Sequence, residues 1–119
     1  MDFYRFDKEA GHSITKFESD FIMSRILQTK KPLHIGAMHL EAGGKIGYHQ
    51  AVVSQILLIV SGEGEVCGTD KVFHQVKSGV AVFWEQDEWH ETPRSEHGLM
   101  AIVIEGEELN PSNMPPFKR

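Results

Sequence analysis

The sequence predicts an all-β protein, a sandwich or barrel of short strands. Turn signals rich in Gly, Pro, Ser and Asp recur along the chain, and the segments between them have the length of strands. From Leu33 onward these segments are rich in Val, Ile and Phe, which favours strands over long helices. We expect strands near residues 33–41, 45–49, 54–61, 64–67, 71–76, 80–84, 88–92 and 99–105.

The predicted strand at 54–61 is apolar on both of its faces. Leu57 and Ile59 share one face with Gln55, whereas the other face carries Ile56, Leu58 and Val60. If the Gln55 face points into a barrel, the opposite face needs a cover from outside. We expect either the N-terminal arm or a second subunit to provide that cover, and we therefore predict a homodimer.

Length and charge set the domain organisation and exclude one class of partner. A chain of 119 residues predicts a single domain, with an N-terminal arm or edge strand at 1–32, a barrel at 33–105 and a tail at 106–119. The net charge is −5 and the basic residues are scattered, so no basic stripe is available to follow a phosphate backbone. Nucleic acid is not an expected partner.

No segment of the sequence indicates a membrane span or a secretory signal. The first ten residues, MDFYRFDKEA, carry charges throughout, unlike a secretory signal. The longest apolar run, ILLIV at 56–60, is far shorter than the roughly 20 residues of a membrane-spanning helix. The single cysteine, Cys67, cannot form an internal disulfide and is expected to be a small strand residue. We expect a soluble, cytoplasmic protein.

Two stretches carry a family resemblance. The segment GKIGYHQAVVSQILLIVSG resembles the first motif of the cupins, G-x5-H-x-H-x3,4-E-x6-G, with the first histidine falling on His49 and the closing glycine on Gly62. The second histidine of that motif falls on Ala51, and its glutamate on Gln55.

The segment GVAVFWEQDEWHETPR is similar to the second cupin motif, G-x5-P-x-G-x2-H-x3-N. It keeps Gly79 and His90, whereas Glu85, Asp87 and Arg94 stand where the family has proline, glycine and asparagine. The resemblance covers residues 33–105. It implies an antiparallel jelly-roll barrel, also called a double-stranded β-helix.

The resemblance also implies a metal site inside the barrel. The matched positions would hold one divalent transition metal ion, Zn²⁺, Ni²⁺, Mn²⁺ or iron, through His49, Gln55 and His90. Ala51 has no donor atom, and the Gln55 amide lacks the charge of a glutamate, so we expect weaker binding than in a complete motif. Glu88 could restore a carboxylate if it turned inward, because alternation along a regular strand places it on the face of His90.

The remaining aromatic and histidine residues are expected to be structural or solvated. His12, His34, His74 and His97 lie in or beside predicted turns, and His39 is expected beside the barrel mouth. Trp84 shares its strand face with Val80 and Val82, so it is assigned to packing, whereas Trp89 belongs either to the core or to a pocket wall.

Two functions remain open from the sequence. The first is a barrel that binds a divalent metal and acts on a small organic substrate, with oxygenase, isomerase and decarboxylase chemistry all permitted by the resemblance. The second is a metal-free barrel that binds or senses a small molecule without catalysis. The retained pair, His49 and His90, favours a metal, and the loss of the second histidine and the glutamate favours simple binding. Whether the protein is an enzyme is not decided by the sequence.

Overall fold

The computed structural model describes residues 1–118, which form ten β-strands and no α-helix. The strands are β1 (Asp2–Arg5), β2 (His12–Ile14), β3 (Phe21–Met23), β4 (His34–Leu40), β5 (Ile46–Gln50), β6 (Ser54–Val66), β7 (His74–Lys77), β8 (Val80–Trp84), β9 (Trp89–Thr92) and β10 (Leu99–Gly106). The helical elements are three single 3₁₀ turns at Lys8–Ala10, Lys16–Glu18 and Pro111–Asn113. Within residues 1–118, no helix has the length and apolar character needed to cross a membrane.

Every strand pair is antiparallel, which confirms the all-β prediction. The main sheet has the order β1-β8-β6-β10-β4, and β7 pairs with the far end of β6. A second, smaller sheet is formed by β5 and β9, and the N-terminal segment forms the hairpin β2–β3. The N-terminal segment also supplies β1, which pairs with β8 at one edge of the main sheet.

Strand β6 is longer than predicted. The sequence indicated two strands, 54–61 and 64–67, separated by a turn at the two glycines, but the structure has one strand over Ser54–Val66. The pairing with β10 shifts by one residue where Val60 is left unpaired, so the strand bends at a β-bulge instead of ending. Gly62 follows the bulge with a φ of 81°, a conformation that glycine adopts without strain.

The bulge also corrects the prediction for Val60. Its neighbours Ile56 and Leu58 are buried, whereas Val60 is 44% exposed and does not continue their face. A bulge inserts one residue into the strand, and the alternation of side chains is interrupted at that point. The outer apolar face of β6 is therefore shorter than the sequence pattern indicated.

Segments of the same chain cover the outer face of β6. Ile56 and Leu58 pack in a buried cluster with Phe83, Leu109 and Met114. Partly buried side chains of the N-terminal segment lie against this cluster: Tyr4, Phe6, Ile26 and Leu27. The sequence left open whether the N-terminal arm or a second subunit covers this face. In the structure the N-terminal arm covers it, together with the C-terminal tail.

The predicted strand at 71–76 begins later than expected. Gly68 accepts a hydrogen bond from the Lys71 N–H in a tight turn, and Lys71 has a φ of 58°. Strand β7 therefore starts only at His74. The apolar Val72 and Phe73, which suggested a strand, are exposed in the loop.

The first prediction concerns Gly98, which lies in the turn before β10 with a φ of 78°. A Cβ added there would collide with the Leu40 carbonyl oxygen, whereas a Cβ at Gly43, with a φ of 82°, would meet nothing within 4 Å. We expect Gly43→Ala to lower the free energy of unfolding by about 1 kcal/mol from backbone strain alone. Gly98→Ala should cost at least about 3 kcal/mol, because the collision adds to the strain. Urea denaturation of both variants measures the difference, and equal losses would contradict this account.

The homodimer stays a prediction, and its basis changes. The face that suggested it is covered within the chain, but the hairpin β2–β3 and its loop leave Phe17, Phe21, Ile22 and Met23 exposed. Phe21 and Met23 project from the same face of β3, and exposed apolar side chains grouped in this way are typical of contacts between subunits. We expect sedimentation velocity at micromolar concentration to give a dimer, and Phe21→Asp to give a monomer because the charge would be buried. A wild-type monomer under these conditions would rule the dimer out.

Candidate functional site

The two histidines of the matched motifs lie side by side on the inner face of the smaller sheet. His49 on β5 is the register partner of His90 on β9, and paired residues in a sheet project to the same side. Their ring centroids are 4.3 Å apart, with an angle of 54° between the ring planes. Alternation sends Tyr48 and Trp89 to the opposite face, where their rings stack at 5.2 Å.

His90 is the buried member of the pair. Its side chain is 2% exposed, and the Trp84 ring lies against it with centroids 4.5 Å apart. Within residues 1–118, its Nε2 atom is buried and has no hydrogen-bond partner. Burial, together with the neighbouring His49, lowers the pKa of His90 from 6.5 to about 4. The imidazole is therefore neutral at pH 7.

His49 is exposed, and its orientation is set by its own strand. Its Nδ1 lies 2.7 Å from the carbonyl oxygen of Gly47. A carbonyl oxygen can only accept a hydrogen bond, so a neutral His49 carries its proton on Nδ1. The lone pair is then on Nε2, the tautomer that a metal-ligating histidine with an outer hydrogen bond adopts.

Gln55 lies on the main sheet and faces a small cavity next to His49. Its register partners are Trp84 on β8 and Glu105 on β10. The cavity has a volume of about 90 Å³ and is lined in part by His49, Gln55 and Glu105. Ala51, at the position of the missing histidine, is buried and also borders this cavity.

Glu88 does not join the histidine pair. One of its carboxylate oxygens lies 2.8 Å from the amino group of Met1, and the other accepts a hydrogen bond from the Glu85 N–H at 3.1 Å. Strand β9 begins at Trp89, so Glu88 belongs to the preceding turn, and the regular alternation assumed for it does not apply. Its carboxylate is engaged away from His90.

Two polar residues of this region were missed by the sequence analysis. Glu105 occupies the inner face of β10, and His34, which was expected in or beside a turn and to be structural or solvated, lies on β4 as its register partner. Both line a second cavity of about 340 Å³, which shares Val52, Val53 and Glu105 with the smaller one. Alternation along the strand predicts that Glu105 shares a face with Ala101 and Val103. It does not indicate which of the two faces is the inner one.

The described residues fit part of a metal centre. His49 and His90 supply two imidazoles, and the unpartnered Nε2 of His90 is a donor atom that nothing in the chain uses. However, across residues 1–118 no three His, Cys, Asp or Glu side chains are gathered closely enough to hold an ion. The described residues thus place two imidazoles side by side, and Gln55 lines a cavity together with one of them.

Trp84 packs in the core, as its strand position predicted. It is fully buried and donates a hydrogen bond from Nε1 to the Cys67 carbonyl oxygen at 3.1 Å. Cys67 is itself buried, and burial is the main cause of its raised pKa. It is therefore a small core residue and not an activated thiol.

An antiparallel jelly roll with paired imidazoles on its inner face has the architecture of the cupins. Solved structures match this chain accordingly, among them a cupin superfamily protein from Desulfitobacterium hafniense with a TM-score of 0.58 and 12% identity, covering 68% of this chain and 72% of that one. An RmlC-like cupin from Shewanella frigidimarina matches with a TM-score of 0.57 and 20% identity over 73% of each chain. The chain therefore has the cupin fold, as its motifs predicted.

A conserved protein of unknown function from Streptococcus pyogenes is similar to the same degree, with a TM-score of 0.58 and 18% identity over 68% of each chain. No protein-family model and no curated protein matches the sequence. The comparisons therefore identify the fold and leave the function to be argued from the site.

We predict that His90 makes the folded protein less stable as the pH falls below 6.5. Its pKa is about 4 when folded and about 6.5 when unfolded, so above pH 6.5 it is neutral in both states and contributes no pH dependence. As the pH falls from 6.5 to 4, only the unfolded state takes up the proton, and the free energy of unfolding should drop by up to about 3 kcal/mol. Below pH 4 the effect levels off.

Urea denaturation in the presence of a chelator, at several pH values from 7.5 to 4, measures this effect. His90→Asn keeps a polar side chain but does not titrate in this range, so the difference between the two proteins isolates His90. The difference in the free energy of unfolding between wild type and His90→Asn should become smaller as the pH falls. Parallel pH profiles for wild type and His90→Asn would show that His90 is not buried in its neutral form.

Proposed function

We propose that this protein is a small-molecule-binding cupin whose centre is a divalent transition metal ion held by His49 and His90, with the Gln55 amide oxygen beside them. The observation that supports it best is the Nε2 atom of His90, which is buried without a partner among residues 1–118. A buried polar group left unsatisfied costs about 1–3 kcal/mol, so such a group calls for a ligand that the chain alone does not supply.

The protonation states favour metal binding at neutral pH. Metal ligands must be deprotonated at the ligating nitrogen, and the low pKa of His90 keeps its imidazole neutral. The hydrogen bond from Nδ1 of His49 to Gly47 leaves the other ring nitrogen of His49 free to ligate. Each imidazole would therefore offer an unprotonated ring nitrogen to a metal ion without a change in its tautomer.

The ion would act as a Lewis acid that polarises an oxygen atom of a bound small molecule. The chain's own contribution is to position that molecule. Two imidazoles and one amide leave coordination positions free, which suits an acid or a diol that binds through two oxygens. Ala51 leaves space where a further imidazole would stand, and the adjoining cavity of about 340 Å³ has room for an organic molecule of small size.

A metal-free binding barrel is the second candidate. It is favoured by one observation, the lack of a third close His, Cys, Asp or Glu ligand among the residues described. In that case Nε2 of His90 and the Gln55 amide would hydrogen-bond the ligand directly. The two candidates differ in whether the protein takes up metal at all.

The test is a calorimetric titration of chelator-treated protein with Zn²⁺, Mn²⁺, Ni²⁺ and, without oxygen, Fe²⁺. We expect one equivalent to bind at pH 7.5 and weaker binding near pH 5, because protons compete with a metal ion for imidazole nitrogens. His90→Ala should weaken affinity by at least about tenfold, since losing even an outer-shell partner of a metal ligand has such an effect. Gln55→Glu should strengthen it by adding a negative charge.

The matched control is His12→Ala, which removes an exposed imidazole from the N-terminal hairpin and should leave affinity unchanged. Because His90 is buried, circular dichroism must show that His90→Ala is folded, and His90→Asn provides a more conservative replacement. Binding that is absent from wild type, or equal in wild type and both His90 variants, would reject the metal centre. The metal-free candidate would then be the better account.

A further inference from the structure

One row of residues crosses the main sheet at the level of the histidine pair. Glu105 on β10 pairs with Gln55 on β6 and with His34 on β4, and Gln55 pairs in turn with Trp84 on β8. Register partners project to the same side of a sheet. Trp84 faces the interior and lies against His90, so Glu105 also projects from the inner face.

The Glu105 carboxylate is available for a ligand. The side chain is partly buried, and among residues 1–118 it takes part in no hydrogen bond or ion pair. By contrast, the Glu88 carboxylate is engaged by Met1 and by the Glu85 N–H. Glu105 is therefore the carboxylate that borders the cavity of His49 and Gln55 without a partner of its own.

A dication at His49 and His90 lacks a compensating charge. Both imidazoles are neutral when they ligate, and the Gln55 amide that replaces the glutamate of the motif is neutral as well. Removing a divalent ion from water without a nearby anion is strongly unfavourable. The site as predicted from the motifs therefore needs a negative charge from another element.

We propose that Glu105 provides this charge, so that the carboxylate missing from position 55 is replaced from the neighbouring strand. This inference rests on the proposed metal centre. Glu105 is not gathered with the two histidines in a three-residue group, so it acts after rotation about its flexible side-chain bonds or through a water bound to the ion. The cavity of about 90 Å³, which His49 and Glu105 both line, has room for a bridging water molecule.

Four proteins test the inference: wild type, Glu105→Gln, Gln55→Glu, and the double variant Gln55→Glu/Glu105→Gln. Glu105→Gln keeps the size of the side chain and removes its charge, so Zn²⁺ affinity by calorimetry should fall at least about tenfold. The double variant moves the carboxylate across one strand pair to position 55. It should recover wild-type affinity or exceed it.

Glu107→Gln is the matched control, because Glu107 borders the larger cavity but is exposed and lies two residues further along the chain. It should leave Zn²⁺ affinity unchanged. Urea denaturation should show little change in stability for Glu105→Gln, since the carboxylate has no partner to lose. The visible spectrum of bound Co²⁺ adds a second readout and should change in Glu105→Gln but not in Glu107→Gln.

The outcomes separate this inference from the proposed function. If His90→Ala loses Zn²⁺ while Glu105→Gln binds as tightly as wild type, the metal centre stands and the role of Glu105 is refuted. If Glu105→Gln and Glu107→Gln weaken binding equally, the effect is one of general surface charge, and the assignment to Glu105 fails. If wild type takes up no metal, the proposed function and this inference fail together.

Discussion

Strand β6 is buried on both faces along its first half, and the rest of the fold follows from that constraint. Leu57 and Ile59 pack inside the barrel, whereas Ile56 and Leu58 lie in a separate cluster outside it. Burying one such side chain contributes about 1.5–3 kcal/mol, so neither layer is dispensable in a chain of this size. The sheet alone cannot cover its outer face. The N-terminal segment and the tail are therefore part of the core and not appendages of the barrel.

The register of β6 also places the candidate site. Gln55 is the first inward residue of the strand, and its partners Trp84 and Glu105 face inward because they lie in the same row. A slip of β6 by one residue would turn Gln55 outward and remove it from this row. Contact between the Trp84 ring and His90 then ties the smaller sheet to the main sheet at the level of the site. The packing that holds the two layers together thus also positions the imidazole pair.

Most of the fold and the core of the site follow from local signals in the sequence. Alternation and turn residues are short-range properties, and they predicted most strands of the barrel and the packing of Trp84. The proximity of His49 and His90 was implied by the resemblance to the two cupin motifs. The bulge at Val60 was not predictable in this way, because it depends on how β10 pairs with β6. Glycines occur both at a β-bulge within a strand and in a turn between two strands, so their presence does not distinguish the two.

Glu105 was missed for a different physical reason. Ala101 and Val103 alternate with Ile102 and Ile104, so both faces of β10 are apolar and the sequence does not distinguish inner from outer. Glu88 was expected to share a strand face with His90. It lies in the turn before β9, where side chains do not alternate as they do in a regular strand. In both cases the deciding information is tertiary: which layer a face packs against, and where a strand begins.

The imidazole pair spans the boundary between the dry interior and the solvent. His90 is 2% exposed, whereas His49 is exposed and borders the small cavity. In the proposed site, a ligand arriving from solvent would meet His49 and the cavity wall first, because His90 does not line the cavity. An interaction with the buried Nε2 of His90 would be screened by less solvent than one with His49, and would therefore be stronger. The exposed histidine would then govern access and the buried one the strength of binding, a division that two equally buried imidazoles would not provide.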